Sequence, residues 1–119
     1  MLVCDDEAVL RALVRASLAP AYEIVEAEDG CEVLGLALDR RPDLIVLDMM
    51  MPGKSGLDVL AELRANAALG RTPVVMLTAR AQAADRAAAA EAGADRYVAK
   101  PFSPSELAAV VGELIGERA

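Results

Sequence analysis

Four short apolar runs each end on a side chain able to do chemistry. Leu2-Val3-Cys4 leads to Asp5-Asp6, Leu44-Ile45-Val46-Leu47 to Asp48, Val74-Val75-Met76-Leu77 to Thr78, and Tyr97-Val98-Ala99 to Lys100-Pro101. Parallel strands emptying onto one sheet edge would gather these residues into one pocket of three carboxylates, a hydroxyl and an ammonium. Carboxylates packed together repel, at roughly 4 kcal/mol for two charges about 4 Å apart at an effective dielectric of 20. Protonation, Lys100 or a cation must offset that repulsion. An all-oxygen set with few protein ligands suits Mg2+, which keeps several waters and shares phosphate oxygens, and disfavours zinc. A carboxylate beside such a cation is a nucleophile toward phosphorus, giving an aspartyl phosphate. Lys100 and Thr78 would then stabilise the charge on the transferring group.

Each residue also has a plainer role. Asp5 or Asp6 alone could cap the helix that follows, and Thr78 could cap an Ala-rich helix after it. Lys100 could be a solvated lysine before a strand-ending proline. Asp48 resists such a reading, because its charge follows a wholly apolar run. All four strand ends together favour the pocket.

The elements that must position these residues follow from an apolar period that alternates between two and about 3.6. Strands are expected at Met1 to Cys4, Tyr22 to Ala27, Leu44 to Leu47, Pro73 to Leu77 and Arg96 to Ala99. Between them, Ala8 to Leu18 carries Val9, Leu10, Leu13, Val14 and Leu18 on one helical face, expected to face the core, and is stopped by Pro20. A second helix carries Val33, Leu34, Ala37 and Leu38 and ends before Pro42, and a third carries Leu57, Leu60, Ala61 and Leu63. Gln82 to Ala92 is an Ala-rich helix closed by Gly93. The last helix, Ser103 to Ile115, has Ser103 as N-cap, Pro104 in its first turn and Glu106 completing a capping box.

Five strand–helix units imply an α/β fold with a parallel sheet covered on both faces, a doubly wound (βα)5 domain spanning residues 1–119. In the flavodoxin-like strand order 2-1-3-4-5, adopted from that fold type, the order reverses between strands one and three. Those are the strands that end in Asp5-Asp6 and Asp48.

Composition removes several alternatives. The 119 residues hold 19 acids against 12 bases, a net charge of −7 that repels a phosphate backbone, and direct nucleic-acid binding is not expected. No histidine is present, so Ser-His and Cys-His catalysis is excluded and any phosphohistidine donor must be another protein. Cys4 and Cys31 lack metal-ligand spacing and fit a reduced, cytoplasmic setting. No run approaches the roughly 18 to 20 apolar residues of a membrane helix.

Taken together, the chain resembles a response-regulator receiver domain of two-component signal transduction, of the CheY-like superfamily. The resemblance rests on Leu-Val-Cys-Asp-Asp-Glu, Arg-Pro-Asp-Leu-Ile-Val-Leu-Asp, Met-Pro-Gly-Lys-Ser-Gly, Pro-Val-Val-Met-Leu-Thr-Ala-Arg, Glu-Ala-Gly-Ala-Asp and Lys-Pro-Phe, along the full length. It implies that Asp48 is the phosphoacceptor, served by a histidine kinase or phosphotransfer protein, and that Asp5, Asp6, Asp48 and the Met50 carbonyl position Mg2+. It further implies that Lys100 contacts the phosphoryl group before a cis peptide to Pro101, a cheap isomer for an X–Pro bond. Thr78 would be the switch hydroxyl and Tyr97 the aromatic whose rotamer reports the switch. Output would pass through the face of the fourth helix, the fifth strand and the last helix. The domain would catalyse only its own phosphorylation and dephosphorylation, and would otherwise not be an enzyme.

Two departures bear on these expectations. The chain begins almost at the first strand, where the family usually carries a few more residues, so a longer native start is expected. Val110 stands where transcription-factor members often carry Arg for a charged dimer contact, while Asp95, Arg96, Arg86 and Glu106 retain part of that charged face. A homodimer through it therefore stays among the expected partners, though weakened; Val110 is expected to extend an exposed apolar patch for a partner. Competing readings are a receiver-like interaction module acting without phosphorylation, an aspartate-nucleophile phosphatase and a flavodoxin-type binder. The intact acidic, hydroxyl and lysine positions disfavour the first. Met50, where such a phosphatase has a second Asp, disfavours the second, and the acidic pocket disfavours a flavin phosphate.

Overall fold

A computed structural model describes residues 1–18, 22–49, 51, 54–78, 91, 93–99 and 102–118. The parallel sheet comprises β1 (Leu2–Cys4), β2 (Val25–Ala27), β3 (Ile45–Asp48), β4 (Val74–Thr78) and β5 (Arg96–Ala99), in the order β2-β1-β3-β4-β5. Among the described residues the helices are α1 (Ala8–Leu18), α2 (Gly30–Arg40), α3 (Gly56–Ala65) and a C-terminal helix (Pro104–Arg118). The expected order and doubly wound layering are thus present. The Ala-rich helix expected over Gln82 to Ala92 lies almost wholly outside the described residues.

Successive strand residues point to opposite faces, which divides the core in two. Leu2, Cys4, Ile45, Leu47, Val74 and Met76 pack on one side with Val33, Ala37, Val59, Leu60 and Leu63 of α2 and α3. Val3, Val46, Val75, Leu77 and Val98 pack on the other with Val14 and Leu18 of α1 and Leu107, Val111 and Leu114 of the C-terminal helix. Strands buried on both faces explain why these runs are apolar throughout. Among the described residues no helix is long and apolar enough to cross a membrane.

The helix ends have clear local causes. Asp29 caps α2, its carboxylate accepting from the Cys31 amide at 2.7 Å. The helix ends at Arg41, whose φ of 47° is left-handed, just before Pro42. Ser55 caps α3 by accepting from the Asp58 amide, and Ser103 accepts from the Glu106 amide at 3.2 Å.

Four expectations need correction. β2 starts at Val25 rather than Tyr22, because its partner β1 is short and the register opens at Leu2–Val25. β3 and β4 run one residue further than expected, so Asp48 and Thr78 are the last residues of their strands, paired with Leu77 and Ala99. On α1 the inward face is Arg11, Val14 and Leu18, and Val9 is 79% exposed, because two residues along a helix turn a side chain to the opposite side. Val110, expected on an exposed patch, is half-buried against the second core layer.

On the lower side of the sheet Arg64, in the last turn of α3, ties three segments. Its guanidinium donates to the Thr72 carbonyl at 2.7 Å, the Gly93 carbonyl at 2.8 Å and the Asp95 carboxylate at 2.9 Å. The same Asp95 oxygen accepts from the Val74 amide at 2.8 Å. The entry to β4 and the turn into β5 are therefore held in mutual register.

Candidate functional site

β1 and β3 are hydrogen-bonded neighbours and both stop at the same edge of the sheet, which brings their terminal carboxylates together. Asp5, Asp6 and Asp48 each present a carboxylate oxygen, and these atoms lie within 4.8 Å of one another. Asp5 is fully buried, Asp48 is 3% exposed, and Asp6 faces solvent. The donor set is all oxygen and open on one side, which fits a hard, partly hydrated divalent cation better than a closed zinc site.

Backbone bonds fix where these groups sit. The Asp5 amide donates to the Ala27 carbonyl at 3.2 Å, and its Oδ1 accepts from the Glu7 amide at 2.9 Å. The second bond is the turn-forming role that an Asp before a helix could play, so one carboxylate serves the turn and joins the cluster. The Met49 amide donates to the Leu77 carbonyl at 3.0 Å, continuing the ladder one step beyond Asp48.

Thr78 closes β4 beside β3 and is completely buried. Its hydroxyl has no hydrogen-bond partner among the described residues. A buried hydroxyl left in that state is costly, and it is a donor available to an anion. Tyr97, on β5 opposite Met76, is 39% exposed. Lys100, Pro101 and Met50, the other expected members of the site, lie outside the described residues.

Two close backbone approaches lie next to Asp48 and at Lys54. The Gly56 amide donates to the Met49 carbonyl at 2.9 Å, and a Cβ on Gly56 would lie 2.7 Å from the Met49 Cα and still closer to the Asp48 carbonyl oxygen. A Cβ on Gly30 would strike the Lys54 carbonyl in the same way. Lys54 pairs with Glu62 of α3. Met51 turns inward, its sulfur 3.1 Å from the Cys4 thiol. Burial, reinforced by Asp5, pushes that thiol up to about 12.

Sequence reasoning missed Arg11. Its guanidinium donates to the Asp5 carbonyl at 2.8 Å, to Glu26 at 3.0 Å and to Glu28 at 3.4 Å. The readable signal was the spacing of Arg11, Val14 and Leu18, which defines an inward face, with two glutamates waiting at the end of the second strand.

With this geometry in view, the likeness to known proteins is specific. Residues 1–112 match the family described as the response regulator receiver domain. The chain is 45% identical over 116 residues to the transcriptional regulatory protein ResD of Bacillus subtilis, covering 97% of this chain and 47% of that protein. It is 41% identical over 110 residues to the phosphate regulon transcriptional regulatory protein PhoB of Pseudomonas aeruginosa, covering 92% of this chain and 48% of that protein. The chain spans about half the length of the curated relatives it matches. Among solved structures, a putative response regulator from Chloroflexus aurantiacus superposes with a TM-score of 0.93 at 32% identity, over 97% of this chain and 95% of that one. The chemotaxis response regulator CheY4 of Vibrio cholerae superposes with a TM-score of 0.89 at 31% identity, over 95% of each chain.

Proposed function

The chain belongs to the response-regulator receiver family, a family of phosphorylation-activated signalling switches, and on that premise we propose that Asp48 is its phosphoacceptor. A carboxylate oxygen of Asp48 attacks the phosphorus of a phosphohistidine on a histidine kinase or phosphotransfer protein. The P–N bond breaks, the imidazole leaves, and an acyl phosphate forms on Asp48. The observation that carries this reading is the cluster itself, with a nearly buried Asp48 at the end of β3 and two further carboxylates within 4.8 Å.

Asp5, Asp6 and Asp48 would hold Mg2+, with the Met50 carbonyl as a further ligand. That ion supplies charge neutralisation for the phosphoryl oxygens. Lys100 contacts the phosphoryl group, and the Thr78 hydroxyl donates to it. The aspartyl phosphate adds about −1.5 to −2 charge and three strong acceptors, which favours the state in which Thr78 has moved toward it. Tyr97 then follows, and the change is read on the face made by the Ala-rich segment, β5 and the C-terminal helix. Phosphorylation acts as a population shift, effective only as far as it favours the active state.

The setting is the cytoplasm, and a net charge of −7 disfavours direct nucleic-acid contact by this domain. Exposure to phosphoramidate, with and without Mg2+, tests the reading by intact mass. One phosphoryl adduct that needs Mg2+ and is missing in Asp48→Asn supports it. A folded protein that gains no adduct overturns it in favour of an interaction module working without phosphorylation.

A further inference from the structure

Arg11 is the one cation among the buried polar side chains of the described residues, and three of the other four (Asp5, Asp48 and Thr78) line the candidate site. It reaches that site from behind. Its Nη1 donates to the Asp5 carbonyl, while Nε and Nη2 are occupied by Glu26 and Glu28. Glu26 is held in turn by Arg15, at 2.6 and 3.1 Å. The backbone of Asp5 is therefore fixed on both sides, by β2 through its amide and by Arg11 through its carbonyl. That carbonyl belongs to the peptide joining Asp5 to Asp6, so its orientation sets how the second carboxylate enters the cluster.

We propose that Arg11 is a positioning residue for the cation pocket, its guanidinium fixing the Asp5–Asp6 peptide from a cradle of Glu26 and Glu28. The inference rests on the reading of Asp5, Asp6 and Asp48 as the Mg2+ ligands. A guanidinium is suited to the task because its planar fork serves three acceptors in fixed directions, whereas an ammonium is a single point charge. Partners one step behind the ligands commonly change metal affinity about 10- to 100-fold. Arg40, in the last turn of α2 and paired with Asp39, serves as the control for charge alone.

Calorimetric Mg2+ titration of the whole chain tests this for the wild type, Arg11→Lys, Arg11→Met and Arg40→Gln, with circular dichroism reporting the fold. The expected result is a Kd raised about tenfold in both Arg11 variants and within about twofold of wild type in Arg40→Gln. Arg11→Lys retains the charge and loses the fork, so its weakened binding assigns the effect to geometry. Should Arg11→Met fail to fold, Arg11→Lys alone decides. Wild-type binding with unchanged affinity in folded Arg11→Lys overturns the inference and leaves the Mg2+ reading standing. No Mg2+ binding by the wild type overturns both.

Discussion

The space a side chain on Gly56 would need is already filled by the Asp48 carbonyl. α3 therefore starts against the backbone of the proposed phosphoacceptor, and the glycine is a packing requirement of the site. Gly56→Ala should force the Asp48–Met49 backbone or the start of α3 to move, at a cost of about 1–3 kcal/mol. Urea unfolding would show it as a lowered midpoint, and phosphorylation by phosphoramidate should slow in step. An unchanged midpoint would mean that the loop yields freely.

The acidic cluster predicts a stability that depends on Mg2+. At a free concentration 100 times Kd, a ligand bound only by the folded state adds about 2.7 kcal/mol. The wild type should therefore melt higher in Mg2+ than in chelator. Asp6→Asn, at the exposed member of the cluster, should lose most of that increment while remaining at least as stable in chelator, since one repelling charge is gone. Thermal melts with and without Mg2+ decide the point.

Glu26 gives a pH signature from the arginine pair behind the pocket. Hydrogen bonds from Arg15, and after it Arg11, hold its carboxyl below the ordinary 4.5 despite partial burial. A depressed folded value means that the stabilisation is complete above about pH 4.5 and fades as pH falls through the folded value. Because Glu26 is about one-third exposed, its contribution is that of a screened surface pair, about 0.2–1 kcal/mol. The stability gap between wild type and Glu26→Gln should be widest near neutrality and should close in acid, as read by urea midpoints across that range.

The two thiols should behave differently toward alkylation. Cys4 is buried and its thiol is pushed up to about 12, so almost no thiolate forms in mildly alkaline buffer. Cys31 is exposed at the start of α2, though Asp29 also raises its thiol. Iodoacetamide should add one group to the native protein, slowly and at Cys31, and a second only after unfolding. Rapid double labelling would contradict the burial of Cys4.

Much of this arrangement is legible in the sequence because strands buried on both faces leave uninterrupted apolar runs, and a charge at the end of such a run stands out. Asp5, Asp6 and Asp48 were readable for that reason, and Thr78 as the polar end of a like run. Strand limits were less so, since they depend on the partner strand: β2 is cut back by β1, and the ladder extends to include Asp48 and Thr78. Arg11 was hidden because a helical arginine ordinarily faces water, and only the tertiary placement of Glu26 and Glu28 makes its burial tolerable. Val9 was misplaced for the complementary reason. A valine beside apolar neighbours looks inward until Arg11, Val14 and Leu18 define the true inner face.

The most direct test of the central claim is borohydride trapping of the phosphorylated protein, followed by peptide mass spectrometry. Reduction converts an aspartyl phosphate to homoserine and marks the residue that carried it. The expected result is homoserine in place of Asp48, formed only when phosphodonor and Mg2+ are both present. Homoserine at Asp5 or Asp6 instead, or at no position in a folded protein treated with donor, would contradict the assignment of Asp48.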